Sequence, residues 1–131
     1  MKTPDALNLP AELLYTSEHV WVKKEGNDLL VGISDYAQDQ LGEVAFVDLP
    51  SQDQQLAAHG EFGSVESVKS VNALYMPVAG TVTAVNGELE DNPSLVNGDC
   101  YGKGWLVRIA PDNMADVDGL LDAAAYKAQL A

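Results

Sequence analysis

The chain has 131 residues, of which 47% are hydrophobic, and a formal net charge of −13, which is large for 14.0 kDa. This length suits a single domain with a modest core. A strongly negative chain repels phosphate, which disfavours nucleic acid as a partner, whereas basic faces of protein partners would complement it.

The cysteine count and the N-terminal residues bear on the cellular compartment of the protein. Cys100 is the one cysteine, so no disulfide can form within the chain. No apolar stretch approaches the length of a membrane span. Residues 1–5 have neither the apolar core of a secretion signal nor the arginines of a transit segment. If the chain is complete, we expect the cytoplasm, and we expect a monomer because no long apolar face stands out.

Residues 1–14 are expected to form a loose arm, because Pro4 and Pro10 argue against a helix there. From Tyr15 onward, short runs rich in β-branched and aromatic residues alternate with turn residues, which is typical of strands. These runs predict strands at residues 19–22, 29–33, 43–49, 62–68, 71–76, 78–85 and 105–109.

A short helix is predicted to begin at Ser34 and Asp35. Asp35 and Gln38 have the spacing of a capping box, and Gly42 is placed to end the helix. Further along, Asp122 can cap a last helix over residues 123–130.

The connections complete the predicted architecture. We expect a polar loop at residues 51–60 and a loop with one helical turn at residues 86–97. The whole is a mostly-β sandwich or flattened barrel. It is predicted as one domain, residues 1–131, with a loose arm (1–14), a β-sandwich (15–111) and a C-terminal helical segment (112–131).

The sequence predicts neither a catalytic residue nor a metal site. His19 and His59 have no recognisable nucleophile nearby, and Cys100 lies in a turn-like segment that suits a structural thiol. The glycines around Lys103 lack the spacing of a phosphate-binding loop. The acids at residues 116–118 lack the carboxylates that a calcium loop needs at its two ends.

Lys69 is the candidate functional residue. It is the only Lys or Arg between Lys24 and Lys103, and it stands between two valine-rich runs that predict a hairpin with Lys69 and Ser70 at the bend. An exposed amine among acids is a poor base or Schiff-base former, which would need a lowered pKa. It suits the target of a modifying enzyme, which needs a rigid, protruding amine. We expect Val68 and Val71 to pack beneath the bend.

The segment around Lys69 resembles the lipoylation segment of the H proteins of the glycine cleavage system. The resemblance extends in order over nearly the whole chain from Tyr15, and it is far more specific than a single motif. Its main stretches are Val31-Gly32-Ile33-Ser34-Asp35-Tyr36-Ala37-Gln38, Leu41-Gly42-Glu43, Phe46-Val47-Asp48-Leu49-Pro50, Phe62-Gly63-Ser64-Val65-Glu66-Ser67-Val68-Lys69-Ser70, Met76-Pro77-Val78-Ala79-Gly80, and Tyr101-Gly102 with Gly104-Trp105.

This resemblance implies a lipoyl-domain-like β-sandwich, or barrel-sandwich hybrid, with short peripheral helices and a C-terminal helix. It implies a non-catalytic carrier with lipoate on Lys69, ligase recognition through Glu66, Ser67, Val68 and Ser70, and a lipoyl groove with Glu18, His19 and Asn72. The implied partners are glycine decarboxylase (P protein), the tetrahydrofolate-dependent aminomethyltransferase (T protein), dihydrolipoyl dehydrogenase (L protein), and a lipoate ligase or lipoyl transferase.

Three departures from the family pattern leave alternatives open. Val20 and Ala73 stand where the family commonly has acids that help to hold a cationic aminomethyl group, and Cys100 stands where it often has proline. An H-like lipoate carrier of another pathway, such as sulfur-compound oxidation or lipoyl relay, is therefore the alternative. A biotin carrier is disfavoured because Lys69 lacks flanking methionines, and an interaction domain without a prosthetic group is the last option.

Overall fold

Two antiparallel β-sheets enclose an aliphatic core in the computed structural model of the chain, which describes residues 6–130. The strands are, in chain order, β1 (Leu14–Tyr15), β2 (Val20–Glu25), β3 (Asp28–Ile33), β4 (Val44–Asp48), β5 (Gln55–Leu56), β6 (Glu61–Ser67), β7 (Val71–Tyr75), β8 (Gly80–Val85) and β9 (Val107–Pro111). One sheet has six strands in the order β1-β2-β3-β9-β8-β5, and the other has three in the order β4-β6-β7.

The helices are short and lie around the sheets. They are α1 (Asp35–Leu41), α2 (Glu88–Asp91), α3 (Leu95–Gly98), a 3₁₀ helix (Met114–Gly119) and α4 (Ala123–Leu130). None of the helices within residues 6–130 is long and apolar enough to cross a membrane. The predicted sandwich with short helices and a C-terminal helix is confirmed.

Alternation along the strands explains the core. Because successive side chains of a strand point to opposite faces, Val20 and Val22 enter the space between the sheets while Trp21 points to the other face of the six-stranded sheet. There the Trp21 indole lies against β3 at Gly32, where a Cβ would come within 2.6 Å of the ring. A side chain at position 32 would therefore displace the indole.

Trp21 belongs to a second, smaller cluster with α4. The Tyr15 and Tyr126 rings stack with their centroids 4.8 Å apart, and both side chains are fully buried. The strand β1 carries Tyr15, and α4 carries Tyr126. This packing fixes the C-terminal helix to the outer face of the six-stranded sheet.

A β-bulge in β4 changes which side chains face the core. The pairing of β4 with β6 shifts between Val44 and Phe46, so that Ala45 is an extra residue. Val44 and Val47 are buried, whereas Phe46 is 55% exposed. In a regular strand without a bulge, strict alternation would direct Phe46 to the same side as Val44.

The expectation of a loose arm is wrong for residues 6–14. Leu13 is 4% exposed within the smaller cluster, and Leu14 pairs with Val22 in the six-stranded sheet. The backbone N–H of Asn8 donates to Asp35 Oδ2 at 2.8 Å. Residues 1–5 of the predicted arm lie outside the described residues.

Other boundaries also differ from the predicted ones. The expected loop at 51–60 contains the two-residue strand β5, and the region 86–97 contains α2 and the start of α3. Ser34, not Asp35, is the N-cap of α1, since its side chain accepts a hydrogen bond from the N–H of Ala37. Asp35 still accepts from Gln38 Nε2 at 2.6 Å. The predicted cap of α4 is confirmed, because Asp122 Oδ1 accepts from the Ala125 N–H at 2.8 Å.

A valine-to-alanine change should cost more stability at a buried position of the β6–β7 hairpin than at an exposed one. Val65 is fully buried and Val68 is 74% exposed. We expect Val65→Ala to lower the free energy of unfolding by about 2 kcal/mol, because it removes buried methyl groups and leaves a cavity. Val68→Ala should cost less than about 0.5 kcal/mol. Urea denaturation of both variants measures the difference, and equal losses would contradict the assignment of the two faces.

Candidate functional site

Lys69 lies at the tip of the hairpin formed by β6 and β7. The chain reverses direction through residues 68–70, and the N–H of Ser67 donates to the carbonyl of Ser70 at 2.8 Å. The Ser67 hydroxyl lies inside this bend, where it accepts hydrogen bonds from the N–H groups of Lys69 at 3.1 Å and of Ser70 at 3.2 Å. The side chain of Ser67 therefore holds the backbone of Lys69 in place.

The Lys69 side chain is exposed and lies over the end of α1. None of the ion pairs found among residues 6–130 includes Lys69. A Cβ placed on Gly42 would lie 3.4 Å from Lys69 Cε and 3.5 Å from Nζ. Gly42 ends α1 with a φ of 74°, a conformation that favours glycine. The lysine stem thus rests beside bare backbone, and its amine remains accessible to a modifying enzyme.

The expectation that Val68 and Val71 pack beneath the bend is wrong. Their exposed fractions are 74% and 63%. Val71 pairs with the exposed Glu66 and shares its outward face, and Val68 lies in the bend itself. Buried Val65 and Leu74 fill the inner face instead, so the bend is held by hydrogen bonds and not by apolar packing.

A groove with a volume of about 460 Å³ lies beside the Lys69 tip, between α1 and β7. Its apolar wall includes Ile33, Leu41, Val65 and Leu74. All three side chains predicted for a groove, Glu18, His19 and Asn72, line this one. Apolar walls with a few polar groups at fixed places are typical of a ligand site.

His19 is held in the groove wall by a chain of hydrogen bonds. Its backbone has a φ of 69°, and its Nδ1 lies 2.8 Å from Tyr126 Oη. Tyr126 Oη lies 2.7 Å from Ser34 Oγ, which also accepts from the N–H of Ala37 in the first turn of α1. On the groove side, the Tyr36 ring lies 4.7 Å from the His19 ring, centroid to centroid. The imidazole is thereby fixed between two helices.

Tyr126 and Tyr36 contact His19, and the sequence patterns indicated neither contact. Tyr126 is separated from His19 by 107 positions, and no local spacing relates the two. The cap and the length of α4 could be predicted from the sequence. The contact of Tyr126 with His19 depends on how α4 packs against the sheet. Only the tertiary fold brings it to the groove.

Burial determines the protonation states of His19 and Tyr126. It lowers the pKa of His19, against a smaller opposing effect of the Glu18 carboxylate. It also raises the pKa of Tyr126 to about 12, against the opposing hydrogen bond from Ser34. Both side chains are therefore neutral near pH 7. Whichever group donates the proton in the hydrogen bond between His19 and Tyr126, that bond occupies Nδ1 of His19. Nε2 is therefore the ring nitrogen that can bind another group.

Among residues 6–130, Glu18 is the one carboxylate that lines the groove. Its Oε1 lies 2.9 Å from Nδ1 of His59, and its side chain is 27% exposed. At the two positions where acids are common in the resemblance, Val20 is buried in the core between the sheets and Ala73 lines the groove. The negative charge of this groove is thus at position 18.

The remaining candidate features have structural roles. The segment before Lys103 is a tight turn, as predicted, with the N–H of Gly102 donating to the Asp99 carbonyl at 3.0 Å and the N–H of Lys103 to Asp99 Oδ2 at 2.9 Å. Cys100 is 7% exposed, and its carbonyl accepts from Trp21 Nε1 at 2.8 Å. Within residues 6–130, no group of three or more His, Cys, Asp or Glu side chains is arranged to hold a metal ion.

The lowered pKa of His19 predicts a pH dependence of stability. The folded protein binds the His19 proton less readily than the unfolded chain, whose histidine pKa is about 6.5. The unfolded chain therefore takes up more protons as the pH falls through and below that value, and this part of the stability is lost. We expect His19→Asn, which tolerates a positive φ, to lose less unfolding free energy between pH 7.5 and 5.5 than the unsubstituted protein. Urea unfolding at both pH values measures this, and equal losses would contradict the assignment.

Comparisons with known proteins agree with the resemblance. Residues 13–131 match the family model described as glycine cleavage H-protein. The glycine cleavage system H protein of Bacteroides fragilis is 51% identical over 122 residues, which cover 93% of this chain and 97% of that protein. That of Symbiobacterium thermophilum is 51% identical over 121 residues, covering 92% and 94%.

A solved structure has the same fold. The crystal structure of a glycine cleavage system H protein from Mycobacterium marinum superimposes with a TM-score of 0.85 at 34% identity, covering 92% of this chain and 98% of that one. The predicted lipoyl-domain-like fold is thereby confirmed, and an assignment to another lipoate-dependent pathway is not favoured. The chain belongs to the glycine cleavage H-protein family.

Proposed function

We propose that Lys69 carries lipoate in amide linkage and that the arm rests in the groove between α1 and β7. As a member of its family, the chain is a carrier component of the glycine cleavage system. The observation that supports the proposal is the joint position of an exposed amine on a rigid tip and an apolar-walled groove beside it. When attached, lipoate would supply a dithiolane, a cyclic disulfide that can open to carry an aminomethyl group on one sulfur.

The residues present fit an amide-linked arm with an apolar body. The Lys69 stem already lies beside Gly42 at the end of α1, and Leu41 and Gln40 of that helix line the groove. Acylation removes the charge of the amine, so the stem can follow an apolar wall without carrying an unpaired cation into it. The covalent tether keeps the cargo at a high local concentration for each partner.

We assign no catalytic residue to this chain. The neutral imidazole of His19 is held by Tyr126 and has no nucleophilic side chain bonded to it among the described residues. Chemistry would be supplied by the proposed partners, which are glycine decarboxylase, the aminomethyltransferase, dihydrolipoyl dehydrogenase, and a lipoate ligase or lipoyl transferase. We propose that the chain meets them as a cytoplasmic monomer.

In this proposal the polar groove residues hold the charged cargo. Glu18 supplies the negative charge that would attract an ammonium group, since it is the one carboxylate lining the groove. His19 offers Nε2 from a fixed ring, and the Asn72 amide lies at the Lys69 end, where its Nδ2 donates to Ser70 Oγ at 3.2 Å. Glu18 thus takes the place of the carboxylates absent at Val20 and Ala73.

The four residues proposed for ligase recognition divide into two roles. Glu66, Val68 and Ser70 are exposed and can contact an enzyme directly. Ser67 is 7% exposed and its hydroxyl is engaged within the bend. We therefore propose that Ser67 positions the lysine and does not itself touch the ligase.

The attachment is tested by replacing the amine. In cells supplied with lipoate, we expect the unsubstituted protein to gain the mass of one lipoyl group at Lys69 and Lys69→Arg to gain none. The lipoylated protein should support glycine–bicarbonate exchange by glycine decarboxylase, and the variant should lower this exchange to background. Lys127→Arg, at a lysine of α4 and not of the hairpin, is the matched control. A modified Lys69→Arg protein, or full exchange without modification, would sink the proposal.

The role of Glu18 is tested by neutralising it. We expect Glu18→Gln to shorten the lifetime of the aminomethyl-loaded protein at least about threefold, because a charge-assisted hydrogen bond is lost. Intact-mass measurement over time, with the partners absent, follows the loss of the cargo. Glu88→Gln, an exposed acid at the start of α2, is the control. Identical lifetimes for the two variants would remove Glu18 from the holding role.

A further inference from the structure

Three large hydrophobic side chains are exposed in the part of the chain that the structure describes, and all three lie near Lys69. Phe46, Val68 and Val71 are 55%, 74% and 63% exposed. Single exposed apolar residues are ordinary on protein surfaces, but a cluster at a functional tip indicates an interaction surface.

The register of the three-stranded sheet places these side chains on one face. Phe46 of β4 pairs with Glu66 of β6, which pairs with Val71 of β7. Directly opposed residues of antiparallel strands point to the same side, so Phe46 and Val71 flank Glu66 at about 10 Å from each other, two strand spacings of about 4.8 Å. Val68 continues the surface into the bend beside Lys69. We call Phe46, Val68 and Val71 the tip patch.

The tip patch depends on an irregularity in β4. The extra residue Ala45 turns Phe46 outward, whereas regular alternation after buried Val44 would direct it inward. Bulges commonly redirect a side chain beside a functional site. The phenyl ring is therefore placed in solvent by the backbone, next to the modified position.

Carboxylates surround the tip patch. Glu43, Asp48 and Glu66 are exposed. The Glu43 carbonyl accepts from the N–H of Val68 at 3.4 Å, and Asp48 pairs with Ser64 two residue pairs along from Phe46 and Glu66, on the same face of the sheet. Like charges on a second copy of the chain would repel this rim, which disfavours self-association and favours a partner with basic side chains.

We propose that the tip patch is the docking surface for the enzyme that acylates Lys69, which receives it in an apolar depression bordered by Lys and Arg. This inference rests on the proposed function. In that reaction the deprotonated Lys69 amine attacks the carbonyl carbon of an activated lipoyl donor. A C–N bond forms, the donor's adenylate or carrier thiol leaves, and the amine proton passes to a base of the enzyme.

The position of the reacting atom selects this partner. The bond forms at Nζ itself, so the acylating enzyme must close over the bend and cover the residues that flank Lys69. For an enzyme that acts on the far end of an attached arm, the reacting atoms lie an arm's length from the bend, so its chemistry does not require contact with the tip patch. Contact with the residues that flank Lys69 is therefore obligatory for the acylating enzyme alone.

The test compares two triple variants of the full chain. The first, Phe46→Thr with Val68→Thr and Val71→Thr, removes apolar character and places β-branched threonine, which suits strands, at positions 46 and 71. The second, Phe46→Leu with Val68→Ile and Val71→Ile, keeps the surface apolar. The cognate lipoate ligase, with lipoate and ATP, is assayed on each unmodified protein, and thermal unfolding checks that both variants fold.

We expect the threonine variant to raise the KM for acylation about tenfold or more with kcat little changed, because only binding of the protein substrate is weakened. The apolar variant should stay within about twofold of the unsubstituted protein. A KM for the threonine variant within twofold would overturn the inference. If the threonine variant fails to fold, the single changes Val68→Thr and Val71→Thr are expected to raise the KM severalfold, and an unchanged KM in both would overturn it.

Two further outcomes separate this inference from the proposed function. If the unsubstituted protein is not acylated at Lys69, the proposed function fails. The unmodified threonine variant could be acylated normally and then, once fully lipoylated, lose glycine–bicarbonate exchange with glycine decarboxylase. In that case the patch serves the decarboxylase, and the inference fails while the carrier role stands. Normal exchange by the lipoylated variant supports the assignment to the acylating enzyme.

Discussion

The hydrogen bonds inside the β6–β7 bend determine where the backbone of Lys69 lies. Ser67 is buried at the end of β6 and binds the backbone of Lys69 and Ser70 through its hydroxyl. Because the valines around the bend point to solvent, these polar contacts do the work that apolar packing does elsewhere in the sandwich. A tip held in this way can be fully exposed on all sides and still be ordered, which a substrate lysine for another enzyme requires.

The groove beside the tip depends on the far end of the chain. Tyr126 in α4 stacks on Tyr15, and its hydroxyl reaches both His19 in the groove wall and Ser34 at the start of α1. The C-terminal helix is therefore part of the support of the groove, although none of its residues lines it. Polar contacts of this kind position a side chain more narrowly than packing alone, since they fix direction as well as distance.

Most of the strands and the position of Lys69 could be predicted from the sequence, because turn residues and β-branched runs are local signals. The hairpin at the lysine, the helix that ends at Gly42 and the cap of α4 by Asp122 are of this kind. The lengths of β1 and β5 are only two residues each, which leaves no periodic pattern to detect. Serine and aspartate are both favoured at the N-cap, so the sequence does not decide between Ser34 and Asp35, and the backbone geometry places Ser34 there.

The errors at the candidate site have a common cause. Valine is usually buried, so burial was expected for Val68 and Val71. Residue type alone does not show which face a side chain takes after a bend or a bulge. The contact between His19 and Tyr126 joins residues 107 positions apart and follows from helix docking alone. Family resemblance identified the groove residues Glu18, His19 and Asn72 before their geometry was known, whereas elementary pattern reasoning had no means of grouping them.

The isolation of Lys69 in the charge distribution has a consequence for recognition. It is the only Lys or Arg from residue 25 to residue 102, so the proposed conversion to an amide would take the formal net charge from −13 to −14 (−13 − 1) and leave that span without a lysine or arginine. Acylated and unacylated forms of the chain would thus differ in electrostatic potential at the tip of the hairpin. A positively charged partner could sort the two forms by long-range attraction before any contact with the arm is made.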